Sequence, residues 1–243
     1  MANFGIKVGD CIDAMRGIEP GTIDMVFADP PYNIGVDYGS GAAADRKSAS
    51  EYRDWCVEWL AGCRTVLKPT GTLWVVSGQE FAAYIDIAIQ DLGFTMRNRI
   101  TWHETFGVYC HKKFGRCSRP IFYAVKDPKE FTFNKDAALV PSARQQKYND
   151  KRASPKGKLP GDVWEVPRVC GTFGERVEGV PTQMPEELLE RAIQVTTNIG
   201  DTILDPFAGS GTTLAVAKKL ERNSIGIEIS EDYARIAAKR LAQ

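Results

Sequence analysis

Thr202-Ile203-Leu204-Asp205-Pro206-Phe207-Ala208-Gly209-Ser210-Gly211-Thr212-Thr213 is the stretch that decides the fold. A short apolar run ends in an acid, small residues make a turn, and the threonines open a helix expected to run to Leu220. A strand, a glycine turn that lets backbone approach a ligand, and a helix are the first parts of a βαβ unit. Ser224 to Ile229 reads as the next strand, and Glu228 near its end lies 23 residues beyond Asp205. A carboxylate about twenty residues past such a turn is the usual partner for ribose hydroxyls. The glycines fall short of the full Gly-x-Gly-x-x-Gly pattern, and there is no lysine for a phosphate loop. That departure suits an adenosine ligand without a pyrophosphate.

Working outward, the same rhythm recurs. Ile6 to Val8 reads as a strand, and Ile23 to Ala28 as another that is almost wholly apolar, the mark of a strand buried on both faces. Ser50 is placed to cap a helix whose Trp55, Trp59, Leu60, Cys63, Val66 and Leu67 recur at helical spacing, and Lys68-Pro69-Thr70-Gly71 should stop it. Thr72 to Ser77, Phe94 to Trp102 and Pro120 to Lys126 read as strands, with a helix around Phe81 to Asp91. Pro185 begins a helix carrying Leu188, Leu189, Ala192, Ile193 and Val195, and Glu231 to Leu241 forms a last one. Strands alternating with helices mean an α/β sheet, mostly parallel, with helices on both faces. Trp55, Trp59 and Trp102 are assigned to its core.

In open α/β sheets ligands bind beyond the carboxyl ends of the strands. A second end stands out: Asp29-Pro30-Pro31-Tyr32, where two prolines end the buried strand. A carboxylate, a prolyl carbonyl and an aromatic ring within four residues suit an amino group on a flat heterocycle. Asp29 and the Pro30 carbonyl can accept its two hydrogens while Tyr32 stacks on the ring. Asn33 to Ala49 follows, rich in small residues, and reads as a mobile loop able to close over that pocket.

The chain's 243 residues correspond to about 1.6 domains at roughly 150 residues each, hence one large domain or one with an elaboration. With 43% hydrophobic and 26% charged residues it has the composition of a globule with an ample core. No apolar run approaches the ~18 residues of a membrane span, and Lys7 and Asp10 interrupt any signal-peptide core. A cytoplasmic location is therefore expected. The six cysteines are scattered, and His103, Cys110, His111 and Cys117 match no usual zinc spacing, so no metal is assigned.

Thirty-one basic and 31 acidic side chains cancel overall but not locally. Arg97 to Lys126 holds seven basic residues against one acid, and Pro141 to Arg176 holds eight against four. Such polarity attracts a polyanion to one face. Lys112, Lys113, Arg116, Arg119, Arg144, Lys147, Lys151 and Arg152 are the candidate DNA contacts. From Asp127 to Gly179 periodicity fails, and so long an irregular stretch is usually functional or disordered.

These motifs together resemble the β group of S-adenosylmethionine-dependent DNA amino-methyltransferases, which modify the exocyclic amine of adenine or cytosine. Asp29-Pro30-Pro31-Tyr32 looks like the family's catalytic tetrapeptide and Asp205 to Gly211 like its cofactor loop. The catalytic motif comes first and the basic stretch lies between, as in the β group. The likeness extends through Gly9-Asp10, Asn33-Ile34-Gly35, Val66-Leu67-Lys68-Pro69 and Pro181-Thr182-Gln183. One departure is plain. The group commonly has His and Lys flanking Pro-Thr-Gln, where this chain has Val180 and Met184.

The resemblance implies a circularly permuted Rossmann-like methyltransferase sheet with an irregular basic insert. Residues 1–126 would form the catalytic half, 127–179 the target-recognition insert and 180–243 the cofactor-binding half. It implies S-adenosylmethionine as cofactor, held by Asp10, Thr182, Asp205, Pro206, Phe207, Gly209, Ser210, Gly211 and Glu228, with Glu228 on the ribose. It implies double-stranded DNA as partner, with the target base flipped into the pocket. Relatives often form homodimers and often serve restriction–modification, and the chain itself signals neither state nor an endonuclease partner. An initial Asp leans toward adenine N6 over cytosine N4. Two alternatives stay open: glutamine-amide methylation, against which Asp29 and the basic insert argue, and a non-catalytic DNA-binding module. None of the cysteines follows a proline, so no covalent intermediate through sulfur is expected.

Overall fold

A computed structural model describes residues 4–36, 45–105, 107, 110–148, 150–171 and 173–242. One eight-stranded sheet organises them in the order β1-β8-β7-β2-β3-β5-β4-β6. The strands are β1 (Phe4–Val8), β2 (Ile23–Ala28), β3 (Leu67–Val76), β4 (Thr95–His103), β5 (Ser118–Val125), β6 (Val163–Glu165), β7 (Thr202–Asp205) and β8 (Asn223–Glu228). The run from β1 to β3 is parallel throughout. β5 lies antiparallel to both its neighbours, and β6 runs parallel to β4.

Period-two alternation sorts the apolar strands onto two faces. Val26 and Ala28 of β2, with Leu73 and Val75 of β3, pack among α1 (Cys11–Arg16), α2 (Ala49–Val66) and α3 (Ala82–Asp91). Met25, Phe27, Trp74 and Val76 face the other way, into a core shared with α5 (Glu186–Thr196) and α6 (Thr212–Lys219). Both faces are covered, as uniformly apolar parallel strands require.

The helix starts follow local chemistry. Asp10 caps α1, its Oδ1 accepting the N–H groups of Ile12 at 2.9 Å and Asp13 at 3.2 Å. This six-residue helix is absent from the sequence reading. The cap of α2 is Ser48 rather than Ser50, because Ser48 and Glu51 form a reciprocal capping box. Lys68 to Gly71 do not form a free stop. β3 already begins at Leu67, opposite Ile23, and the register then jumps to Met25 opposite Thr72, so Pro69 sits in a bulge.

The 127–179 region is partly built into the sheet. Trp164 of β6 pairs with Trp102 and packs 5.9 Å from the Trp74 ring. Trp102 donates from Nε1 to the Val166 carbonyl at 2.7 Å. Asn134, next to a 3₁₀ turn at Lys135–Ala138, caps the end of α5 by donating to the Thr197 carbonyl at 2.8 Å. α4 (Ala143–Gln146) is a single turn, and α7 (Glu231–Leu241) closes the described chain. Among the described residues no helix is long and apolar enough to cross a membrane.

Candidate active site

Four adjacent parallel strands end on one edge of the sheet. β1 delivers Gly9 and Asp10, β8 delivers Glu228, β7 delivers Asp205, and β2 delivers Asp29. A cavity of about 230 Å³ opens there. Asp10, Asp29, Pro31, Thr182, Pro206, Phe207, Gly209 and Glu228 all line it. The two motifs that lie some 175 residues apart in the chain thus share one cleft.

The turn after β7 is shaped from both ends. Asp205 is buried, and its Oδ1 accepts the Phe207 N–H at 2.9 Å. Gly209 donates its N–H to Glu228 Oε2 at 2.8 Å, and Ser230 donates to Oε1 at 2.9 Å. Phe207 stands edge-on to Trp59 at 5.3 Å and to Trp55 at 5.7 Å. Gly211 has φ +73°, and a Cβ there would come within 2.8 Å of Ala237 Cβ, so only glycine lets the turn lie against α7.

The Asp29 segment is clamped as firmly. Tyr52 of α2 donates its hydroxyl to the Pro31 carbonyl at 2.6 Å. Tyr32 donates its hydroxyl to Asp29 Oδ1. Asn33 turns the chain at φ 60°, and Asp45 then gathers the next residues. Its carboxylate accepts N–H groups from Asn33, Ile34, Gly35 and Val36 at 2.8–3.1 Å. Asn33 and Lys47 exchange two further hydrogen bonds, at 2.9 and 2.7 Å. The flanks of the expected mobile loop are therefore fixed, and its middle, 37–44, lies outside the described residues.

The electrostatics favour a cationic guest. Asp10, Asp29, Asp45 and Glu228 line the cavity against Lys47. Burial pushes the Asp205 carboxyl up to about 7, with Asp29 and Glu228 adding to the rise, while Thr213 and the Phe207 N–H oppose it. Burial likewise raises Glu228 against three backbone N–H donors. Asp29 is raised by burial and by Glu104, and lowered by Arg119 and the Tyr32 hydroxyl. A positively charged ligand with hydroxyls and a flat ring would find carboxylate acceptors, apolar walls and relief of this crowding. S-adenosylmethionine, a sulfonium with a ribose and an adenine, fits that set.

Other expected site residues lie elsewhere. Ser210 is 4% exposed and bonded to Thr212 at 3.0 Å, and neither it nor Gly211 lines the cavity. Asp205 and Pro30 are buried, and neither is part of the cavity lining. The Tyr32 ring lies beneath the Arg119 guanidinium, 5.2 Å away, outside the cavity lining. Trp59 and Trp102 are core residues as expected, at 0% and 1% exposed. Trp55 packs partly buried against the core around Trp59 and also lines the cavity with Tyr52. Both come from the first turns of α2, which lie over the site, and helical spacing alone cannot distinguish a pocket wall from a core.

The basic residues divide. Lys112, Lys113 and Arg116 are exposed on the loop joining β4 to β5, at the same sheet edge as the cavity. Arg116 is tethered to Glu80 at 2.5 Å. Arg144, Lys147, Lys151 and Arg152 are exposed around α4, with Arg152 paired to Asp150 at 2.9 Å. Arg119 differs from the others: it turns inward, pairs with Glu104 at 3.0 Å and donates to the Tyr32 hydroxyl at 3.1 Å, so its charge is already engaged within the protein.

Comparison with known proteins places this geometry in context. A family model for N6/N4 methyltransferases, described as DNA methylase, matches residues 23–239. DNA adenine methyltransferase YhdJ of Escherichia coli K12 is 40% identical over 241 residues, covering 96% of this chain and 81% of that protein. Type II methyltransferase M.HpaI of Haemophilus parainfluenzae is 40% identical over 233 residues, covering 96% and 72%. The crystal structure of the M1.HpyAVI–SAM complex superposes with a TM-score of 0.70 at 25% identity, covering 99% of this chain and all of that one.

Proposed function

Because the chain belongs to the N6/N4 DNA methylase family, we propose that it transfers a methyl group from S-adenosylmethionine to the exocyclic N6 amine of adenine in double-stranded DNA. The observation that carries this reading is the single cleft in which Asp29 after β2 and Glu228 of β8 flank the Pro206–Gly209 turn. The choice of adenine is supported by the Asp that opens the tetrapeptide and by the 40% identity to a DNA adenine methyltransferase.

When bound, S-adenosylmethionine supplies an electrophilic methyl group on a sulfonium. Glu228 and Asp10 would hold its ribose and adenine, and Phe207, Pro206, Gly209 and Thr182 would wall it. Glu228 offers acceptors in an apolar setting, where a hydrogen bond to a charged group is strong. Asp10 uses one oxygen, Oδ1, for its cap.

The amine of adenine is a poor nucleophile because its lone pair is delocalised into the ring. Asp29 and the Pro30 carbonyl accept its two hydrogens and favour a pyramidal nitrogen. Positive charge grows on that nitrogen as it reacts, and Asp29 binds it more tightly as it grows, which lowers the barrier. Holding the partners in near-attack geometry contributes as much as ~7–11 kcal/mol. No side chain needs to form a covalent bond: the nitrogen–methyl bond would form as the methyl–sulfur bond breaks and leaves a neutral thioether, and the surplus proton on nitrogen would pass to solvent by way of Asp29. In the base-free state the Tyr32 hydroxyl donates to Asp29 Oδ1, so the incoming amine is received by the other oxygen of that carboxylate.

The target base must leave the duplex to reach this cleft, at a cost of a few kcal/mol. The exposed Lys112, Lys113 and Arg116 stand on the correct sheet edge to hold phosphates around it. Residues 127–179, which present Arg144, Lys147, Lys151 and Arg152, are assigned to target recognition. Transfer of a tritiated methyl group to unmodified duplex DNA, followed by digestion to nucleosides, tests the reading. Label in N6-methyldeoxyadenosine is expected. Label in N4-methyldeoxycytidine, in protein glutamine, or nowhere would overturn it.

A further inference from the structure

The Asp29–Tyr32 pair is held from outside its own segment. Arg119, near the start of β5, donates from Nη1 to the Tyr32 hydroxyl at 3.1 Å. Its guanidinium lies 5.2 Å from the Tyr32 ring and 5.3 Å from the Trp102 ring. On its other side Nε faces Glu104 Oε1 at 3.0 Å, and Glu104, just past β4, is 6% exposed. Tyr32 in turn donates to Asp29 Oδ1. Contacts therefore run unbroken from Glu104 through Arg119 and Tyr32 to a carboxylate on the cavity wall.

An arginine enclosed in this way needs partners for its charge, since desolvating an ion is costly. It has two, one on each side, and only one of them belongs to the active site. We propose that Arg119, seated on Glu104, is a positioning residue for methyl transfer, fixing the Tyr32 hydroxyl and through it the carboxylate of Asp29 that receives the target amine. This assignment rests on the methyltransferase reading above.

The electrostatics point the same way. Burial pushes the Asp29 carboxyl up, Arg119 and the Tyr32 hydroxyl draw it down, and Glu104 pushes it up. Asp205 at the end of β7 also faces Asp29 as a like charge. Asp10, Asp45, Lys47 and Glu228 line the same cavity. An amine-binding carboxylate must be ionised, so the cation beside it governs the low-pH limb of activity.

Purified wild-type chain and the variants Arg119→Met, Arg119→Lys and Glu104→Gln would be compared for methyl transfer to unmodified phage DNA from about pH 5 to 9. Calorimetric affinity for S-adenosylmethionine, unchanged, reports that each variant is folded. Arg119→Met is expected to lower kcat about 100-fold, as a misplaced catalytic group does. It should also move the acid limb to higher pH, because Asp29 loses the cation that favours its charged form. Glu104→Gln should move that limb to lower pH, because a like charge is gone. Arg119→Lys keeps the charge and loses the fork, so it should hold the limb near its wild-type position and recover part of kcat.

Opposite shifts from the two variants cannot come from loosened packing. Wild-type kcat in Arg119→Met, or an acid limb unmoved in both variants, would overturn the assignment while leaving the methyltransferase reading standing. Should Arg119→Met fail to bind S-adenosylmethionine, the sign of the Glu104→Gln shift decides. A wild-type chain that binds S-adenosylmethionine yet methylates no DNA would overturn the underlying reading and this assignment with it.

Discussion

Glu228 accepts the backbone N–H of Gly209 at 2.8 Å, so the end of β8 and the turn after β7 form one hydrogen-bonded unit at the cavity wall. The same carboxylate takes the Ser230 N–H on its other oxygen. Replacing Glu228 by Ala removes the proposed ligand acceptor and leaves the Gly209 and Ser230 N–H groups without their partner. Hydrogen bonds to charged groups contribute about 1.5–3 kcal/mol each, and losing one toward the ligand weakens binding roughly 10- to 150-fold. Calorimetry with S-adenosylmethionine measures this directly, and unchanged affinity would remove Glu228 from the cofactor site.

Asp29→Ala is expected to abolish methyl transfer with little effect on cofactor affinity. In its proposed role Asp29 binds charge that develops only during reaction, so its loss should appear in kcat rather than in cofactor binding. Asp29→Asn should be nearly as inactive, since the amide offers a single acceptor and no charge. Single-turnover transfer from labelled cofactor checks both, and near-normal turnover in either variant contradicts the role given to Asp29.

Asp205 makes stability depend on pH. Its carboxyl is pushed up to about 7 in the folded chain, against an ordinary value near 4. Between those values the folded state keeps a proton that the unfolded state has released, so stability falls as pH rises from about 4 to about 7 and levels off above. Asp29 and Glu228, also raised by burial, act in the same direction. Asp205→Asn should therefore raise Tm at about pH 8 and leave it little changed at about pH 4. Thermal unfolding across that range would show the wild-type slope partly flattened.

Asp45 holds four consecutive N–H groups just after Asp29-Pro30-Pro31-Tyr32. Asp45→Ala leaves these donors unmatched, and each buried group without a partner costs about 1–3 kcal/mol. Water will satisfy some of them, so a loss of about 2 kcal/mol in urea unfolding is expected. Faster proteolysis near residues 33–47 and a reduced kcat should accompany it. Asp45→Asn should fare almost as badly, because one carboxylate oxygen becomes a donor facing donors.

The parallel half of the sheet was legible because β2 and residues 72–76 of β3 are almost wholly buried and apolar, and Asp-Pro marks the ends of β2 and β7. The strand, turn and helix around Asp205, with the acid at Glu228, pointed to the edge of the sheet where the cavity opens. Other features gave no such signal. α1 is six residues held by one aspartate cap, too short for periodicity to show. β6 is three residues among prolines and glycines, and only pairing with β4 makes it a strand. Asp45 acts across ten residues of chain on backbone groups, which carry no sequence signature. The engagement of Arg119 with Glu104 and Tyr32 was not legible, because sequence reports charge and not direction. Its neighbours on the basic loop face outward, and the β4–β5 register alone sets it opposite Trp102 and inward.

The order of strands in the sheet sets a schedule for synthesis. β1 and β2 leave the ribosome early, but their sheet neighbours β8 and β7 lie after residue 201. Until those segments emerge, β1 has no partner and β2 keeps one edge bare, facing the cell as templates for stray pairing. A nascent chain stalled before residue 201 should thus be a target for chaperones, and the central strands should acquire protection together, late, in one cooperative closure.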